Sequence, residues 1–224
     1  NAVLSAIYAG FTLGDDAGAI EAPLAAEARY LALLVAELVS DQPEALGLAS
    51  LVLHVSARRP ARRGESGAFV PLAQQDCRLW DRGSLELAEG LLRRAAASGQ
   101  PGRFQIEAAI QSVHAARALT GETDWQALHD LYGVLHAWTG SFVVALNRAV
   151  VLAELAGPEP ALNELLALAE VPGLATYQPY WAARGTIAAR AGRVPEAREA
   201  LERAIILALD PAVQRHLAEI RQRL

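Results

Sequence analysis

The side chains able to do chemistry crowd into one stretch, Leu72 to Leu85, reading LAQQDCRLWDRGSL. Between runs of leucine and alanine it gathers Gln74 and Gln75, Asp76 and Asp81, Arg78 and Arg82, Trp80, and Cys77, the only cysteine. A cysteine nucleophile needs a histidine base close in space. Nothing in the sequence places one beside Cys77, so the role of a small buried apolar residue is expected for it. The five histidines, His54, His114, His129, His136 and His216, are scattered. No two of them share a helix face with a carboxylate or cysteine at ligand spacing, so no metal site is expected. GLLRRAAASGQPG has neither the glycine spacing nor the lysine of a phosphate loop. The chain is expected to be no enzyme and to need no cofactor.

A second cluster, ARRPARRG, brings Arg58, Arg59, Arg62 and Arg63 together. Arginines that close a helix near Ala57 answer its negative C-terminal dipole. Contact with nucleic-acid phosphate or an acidic protein is the alternative. Every base in the chain is an arginine and the net charge is -5, so the whole-chain basic footprint of a nucleic-acid binder is missing. No uncharged apolar run reaches membrane-spanning length and no signal-peptide layout opens the chain, so a cytoplasmic protein with no membrane contact is expected. The chain contains no methionine, which points to a piece of a longer protein.

The elements that must position these residues read as helices, since alanine and leucine dominate and aromatics make up 6%. Leu24, Ala28, Leu31, Val35 and Leu38 step by four and three and predict one buried face of a helix over Pro23 to Val39. Asp41 with Glu44 has the spacing of a capping box opening a second helix that runs to Ala57, and the two should form a hairpin. RRPARRGESGAFVPL is expected to be an irregular insertion, its AFV extended. A helix from Ser84 to Ala97 follows. Three helix pairs come next: Phe104–Leu119 with Trp125–Trp138, capped by Asp124; Phe142–Ala156 with Glu159–Ala169; and Tyr177–Ala191 with Pro195–Leu209. Asp210 and Pro211 start a last helix.

The pairs repeat. Ala127, Leu131 and Val134 recur 34 residues later as Ala161, Leu165 and Leu168, and 36 further on as Ala197, Leu201 and Ala204. Ala115, Ala149 and Gly185 keep the same spacing in the first helices and predict a small residue at each helix crossing. WAARGTIAARAGRVPEAREALERA resembles a tetratricopeptide repeat (TPR) at Trp181, Gly185, Gly192, Ala197, Leu201 and Ala204, and departs from it at Ala188. The expected fold is all-α: a right-handed α-solenoid of TPR-like helix pairs over residues 72–224. An N-terminal hairpin and the arginine-rich insertion occupy 1–71, in one continuous domain.

In such arrays the first helices line a concave face. The superposition puts His114, Arg148 and Arg184 at one equivalent position on it, with Asn147 beside Arg148 and Tyr177 at the head of the last pair. This makes a candidate groove for an acidic or carboxylate-bearing segment. The alternative is that these side chains tie helices together. Arg58, Arg59, Arg62, Asp76, Trp80 and Asp81 are expected to form a structural joint, with Trp80 as its wedge and the two acids answering the arginines.

Several segments in order, AEARYLALLVAELVSDQPEALGLASLVL, ARRPAR, QDCRLWDR, FQIEAAIQSVHA, TDW, VVALNRAV and AGRVPEAREALERA, together with Tyr177 and the AAR of 182–184, carry a family resemblance. With them the chain resembles, essentially end to end, the C-terminal TPR-like extension of one group of extracytoplasmic-function (ECF) sigma factors. Cys77 departs from the pattern, where an arginine is expected. The resemblance implies a regulatory domain of transcription initiation with no catalysis. Its implied partners are the sigma core of the same protein and RNA polymerase, with DNA reached only through the core. A stand-alone TPR adaptor for acidic peptides and a small-molecule sensor are the rival expectations.

Overall fold

The computed structural model describes residues 2–16 and 22–224, and all the longer regular elements among them are helices. The chain is all-α. It divides into two units, one of residues up to Ala61 with Asp76–Thr123, the other of Arg62–Gln75 with Asp124–Leu224. The boundary expected between residues 71 and 72 falls inside the Arg62–Gln75 segment of the second unit.

The first unit holds α1 (Ala2–Asp16), α2 (Ala22–Leu38), α3 (Pro43–Ala57), α4 (Arg82–Ala96) and α5 (Arg103–Thr120). Its centre is α3, where ALGLASLVLH is buried residue for residue. A helix apolar on all sides is stable only if neighbours surround it. Here α1, α2, α4 and α5 all pack on it. Leu4, Ile7 and Phe11 give α1 an apolar edge at helical spacing, so the expected hairpin is in fact three helices.

Two expectations change here. On α2 the buried residues are Ala25, Ala28, Ala32 and Ala36, while Leu24, Leu31 and Leu38 face solvent. Alanines allow close approach to α1 and α3, whose own Phe11, Leu48 and Val52 fill the interface. The capping box also fails. Pro43 takes the first helical position, which makes Gln42 the N-cap residue and leaves Asp41 one residue too early.

Glu44 is used across the fold instead. Its carboxylate accepts from the backbone N–H groups of Phe104 (3.1 Å) and Gln105 (3.2 Å), capping α5 from sixty residues away. Negative charge at these free donors also meets the positive end of the helix dipole. Glycines make the approach possible. A Cβ on Gly102 would lie 2.2 Å from the Glu44 carboxyl carbon, and one on Gly47 2.8 Å from the Gln105 nitrogen.

The second unit holds α6 (Trp125–Thr139), α7 (Phe142–Leu155), α8 (Pro158–Ala167), α9 (Gln178–Arg190), α10 (Val194–Leu207) and α11 (Pro211–Gln222), each packed on the next. Asp124 caps α6 through the Ala127 N–H (2.9 Å) and Asp210 caps α11 through that of Ala212 (2.8 Å), as their positions predict. Ala161, Leu165, Ala197, Leu201 and Ala204 are fully buried, and so is Ala149 at its crossing. Gly185 meets α10 so closely that a Cβ there would lie 2.7 Å from Leu201 Cγ.

The first expected pair is divided between the two units. Its leading helix, α5, packs on α3 and α4 in the first unit, while α6 belongs to the second. On α6 the buried residues are Leu128 and Leu135, not Ala127 and Val134, a rotation of one position that follows from this change of neighbours. The insertion is irregular, and its AFV is extended through a bridge between Arg63 and Phe69. It joins the second unit where Arg63 pairs with Asp210 and Phe69 meets the His216 ring edge-on, 5.5 Å between centroids.

Removing the Glu44 carboxylate should leave two half-buried N–H groups of α5 uncapped. Glu44→Ala is expected to cost about 1–2 kcal/mol in urea unfolding, and Asp41→Ala, outside the cap, should cost much less.

Candidate functional site

The QDCRLWDR stretch lies wholly in the first unit from Asp76 onward. Asp76 opens a 3₁₀ turn, Cys77–Leu79, by accepting from the Arg78 N–H at 2.9 Å. The Arg78 guanidinium then folds back onto the same carboxylate at 2.7 to 3.0 Å. These bonds hold the Asp76 carboxyl at about 2, below its ordinary range. Asp81 is the N-cap of α4, accepting from the Ser84 N–H (3.1 Å) and hydroxyl (2.6 Å), which also lower its pKa. Its own N–H donates to the Ala57 carbonyl at 3.0 Å, tying the stretch to the end of α3.

Asp76 is thus paired with Arg78 and Asp81 with Ser84, each within three residues along the chain. A turn and a helix start each need an acceptor, and a partner two or three residues away orders less chain than one twenty away. Arg58 is nearly buried and donates to the Gln111 side chain on α5. Arg59 is exposed in a 3₁₀ turn, Arg59–Ala61. Arg62 begins the segment that belongs to the second unit, and its carbonyl accepts from Val70 N–H at 3.0 Å. Trp80 is buried, with the Arg117 guanidinium 5.4 Å from its ring centroid.

Beside this joint lies a cavity of about 550 Å³ between the turn, α4 and α5. Cys77, Arg78, Arg82, Leu85, Glu86, Glu89 and Arg93 form one wall, and Ser112, Ala115, Ala116, Ala118 and Leu119 the other. The α4 wall carries both signs of charge, and the α5 wall is mostly small and apolar. Ser112 donates its hydroxyl proton to Glu89 Oε1, and His54 Nε2 lies 3.4 Å from the same oxygen. Serine thus meets the carboxylate first, whereas activation of a nucleophile needs serine on the imidazole and the acid behind it. In this arrangement the Ser112 hydroxyl faces the carboxylate and not the imidazole. His54 is fully buried, and its pKa is lowered to about 4 by burial and then by Arg58. Among the described residues no three His, Cys, Asp or Glu side chains come together to hold a metal.

The residues assigned to one concave face are divided. His114 lies on α5 in the first unit, half-buried, its pKa lowered to about 4 by burial, Arg58 and Arg117. The others lie in the second unit, on α7 and at α9, which pack together. Asn147 is exposed. Arg148 donates to His129 Nε2 at 3.2 Å and lies 3.8 Å from Glu164. Arg184 lies over the Trp181 ring at 5.5 Å, and Tyr177, the N-cap residue of α9, meets Phe142 edge-on at 5.5 Å. Of this set Arg148 and Tyr177 tie helices together, while Arg184 meets a ring of its own helix. The sequence reading missed the ion pairs that link successive helix pairs, Arg190 of α9 with Glu154 of α7 and Arg193 at the start of α10 with Glu159 of α8. Their separations of 36 and 34 residues echo the repeat and were available as a signal.

Residues 1–96 match the model of a family described as "Family of unknown function (DUF6596)". "Uncharacterized protein R00370" of Rhizobium meliloti (strain 1021) is 38% identical over 211 residues, covering 92% of this chain and 49% of that protein. The chain thus spans about half the length of this relative. No solved structure matches. Among the described residues no helix is long and apolar enough to cross a membrane.

Truncating Trp80 should empty the joint. Trp80→Ala is expected to lose about 3–5 kcal/mol in denaturant unfolding. Full stability in that variant would mean the ring bears no load. His54 gives stability a pH dependence of its own. Its pKa falls from 6.5 in the unfolded chain to about 4 in the fold, so the unfolded state takes the proton first as pH drops. Its share of stability is complete above 6.5 and is lost between 6.5 and about 4, up to roughly 3 kcal/mol. Urea midpoints followed across that range should fall, and fall less in His54→Leu.

Proposed function

We propose that this chain is a regulatory helical interaction domain acting on an ECF-type sigma factor, and that α6 to α11 form a right-handed TPR-like solenoid within it. The observation that carries the reading is the recurrence of helix-to-helix contacts at the repeat spacing. Small residues stand at the crossings at Ala149 and Gly185. Ion pairs link residues 34 and 36 apart. Arrays of this type present extended concave binding surfaces. The motif order described above supplies the sigma-factor part of the reading. A relative twice as long leaves room for a core to which such a domain would be attached.

In this reading the domain docks on the sigma core or on RNA polymerase, and a signal shifts the docked population. The domain works in the cytoplasm, and DNA is met by the core alone. A second reading, a small-molecule sensor, is favoured by the cavity between α4 and α5. A saturable rise in Tm with a small molecule would support it. The acidic-peptide adaptor has less behind it, because Arg148 and Arg184 are engaged within the chain.

The test is retention of a purified ECF sigma core, or of RNA polymerase, by the immobilised 224-residue chain. Binding in the micromolar range or tighter is expected, and promoter activation by the full-length protein should change when the domain is deleted. No retention of either, with activation and its regulation unaltered by deletion, would overturn the proposal.

A further inference from the structure

On α2, Ala25, Ala28, Ala32 and Ala36 face inward and Leu24, Leu31 and Leu38 outward. Leu24, Leu31 and Leu38 follow at intervals of seven and are 42%, 36% and 73% exposed, with Tyr30 59% exposed. Seven residues make nearly two turns, so the three leucines form one stripe about 21 Å long. A leucine every seven residues is the pattern that receives the side chains of a facing helix. Solvent-facing apolar surface of this extent marks an interaction site.

The charges around the stripe have one sign. Glu27 is exposed three residues after Leu24 and four before Leu31, so it lies within the stripe. Glu37 is exposed seven residues after Tyr30, on the Tyr30 edge of the same face, and Asp41 is exposed just beyond the helix. The one base on α2, Arg29, points the other way, donating to the Ser84 hydroxyl at 3.1 Å near Asp81. A second copy of this helix would bring Glu27 and Glu37 against like charges. A helix bearing lysine or arginine beside its apolar edge would meet opposite ones.

We infer that the α2 stripe is a docking seam for an amphipathic helix of a partner protein, apolar along one edge and flanked by basic residues. Leu24, Leu31 and Leu38 receive the apolar edge, and Glu27 and Glu37 pair with the flanking bases. The inference concerns the chemistry of the partner's helix and goes beyond the sigma-factor reading.

The probe is a labelled synthetic peptide of about three leucine–lysine heptads, with its leucine–glutamate counterpart as control, titrated against the 224-residue chain by fluorescence anisotropy. Saturable one-to-one binding of the lysine peptide alone is expected. The double variant Leu31→Ser, Leu38→Ser should weaken it about tenfold or more, and so should Glu27→Lys with Glu37→Lys. The charge variant alters only exposed positions, so it decides the matter even where the serine variant fails to fold. Equal binding of both peptides, or binding untouched by the charge variant, overturns the inference. So does a concentration-dependent dimer abolished by Leu31→Ser, which would make a second copy the occupant. Because the peptide assay contains no sigma core, its failure and failure of the retention experiment are separate results.

Discussion

The burial of the middle of α3 is the constraint on which the first unit depends. Ten consecutive residues, Ala45 to His54, lie out of water, so helices must stand on every side of them. Each neighbour is then fitted to α3 by a different device. Alanines bring α2 close. The Ser50 hydroxyl donates to the Ala88 carbonyl on α4 at 2.9 Å. Gly47 and Gly102 admit the start of α5, and Glu44 closes it.

The same burial determines which polar groups can carry charge. His54, inside this helix, is held neutral, and Arg58, just past its end, is led to Gln111. The polar stretch around Cys77 closes the C-terminal end of α3, where the Asp81 N–H meets the Ala57 carbonyl and Trp80 is buried. What the sequence offers as reactive groups is mostly the means of ending one helix and starting another.

Local signals were legible. The helices from α2 onward, the caps at Asp124 and Asp210 and the extended AFV all follow from neighbouring residues. Long-range partners were not. Glu44 has the spacing of a local capping box, and only the fold brings it to α5. Periodicity marks an amphipathic helix but not which stripe faces in. On α2 the alanines satisfy the same period as the leucines, and packing distance decides between them. The repeat was legible where helices pack on their successors, from α7 to α10, and misleading at α5, whose neighbours lie earlier in the chain. The cavity by Cys77 had no local signature, because its walls come from segments some thirty residues apart.

The route of the chain between its two units bears on how it is made. Residues 62–75 leave the first unit before it is finished, and the chain returns at Asp76 to add α4 and α5. During synthesis the α3 scaffold stays open until α5 has emerged. Arg63 and Phe69 wait longer still, until Asp210 and His216 have been translated near the end of the chain. Neither unit can be cut out as one continuous piece, and a ribosome that stalls after α9 leaves the insertion without the helix that receives it.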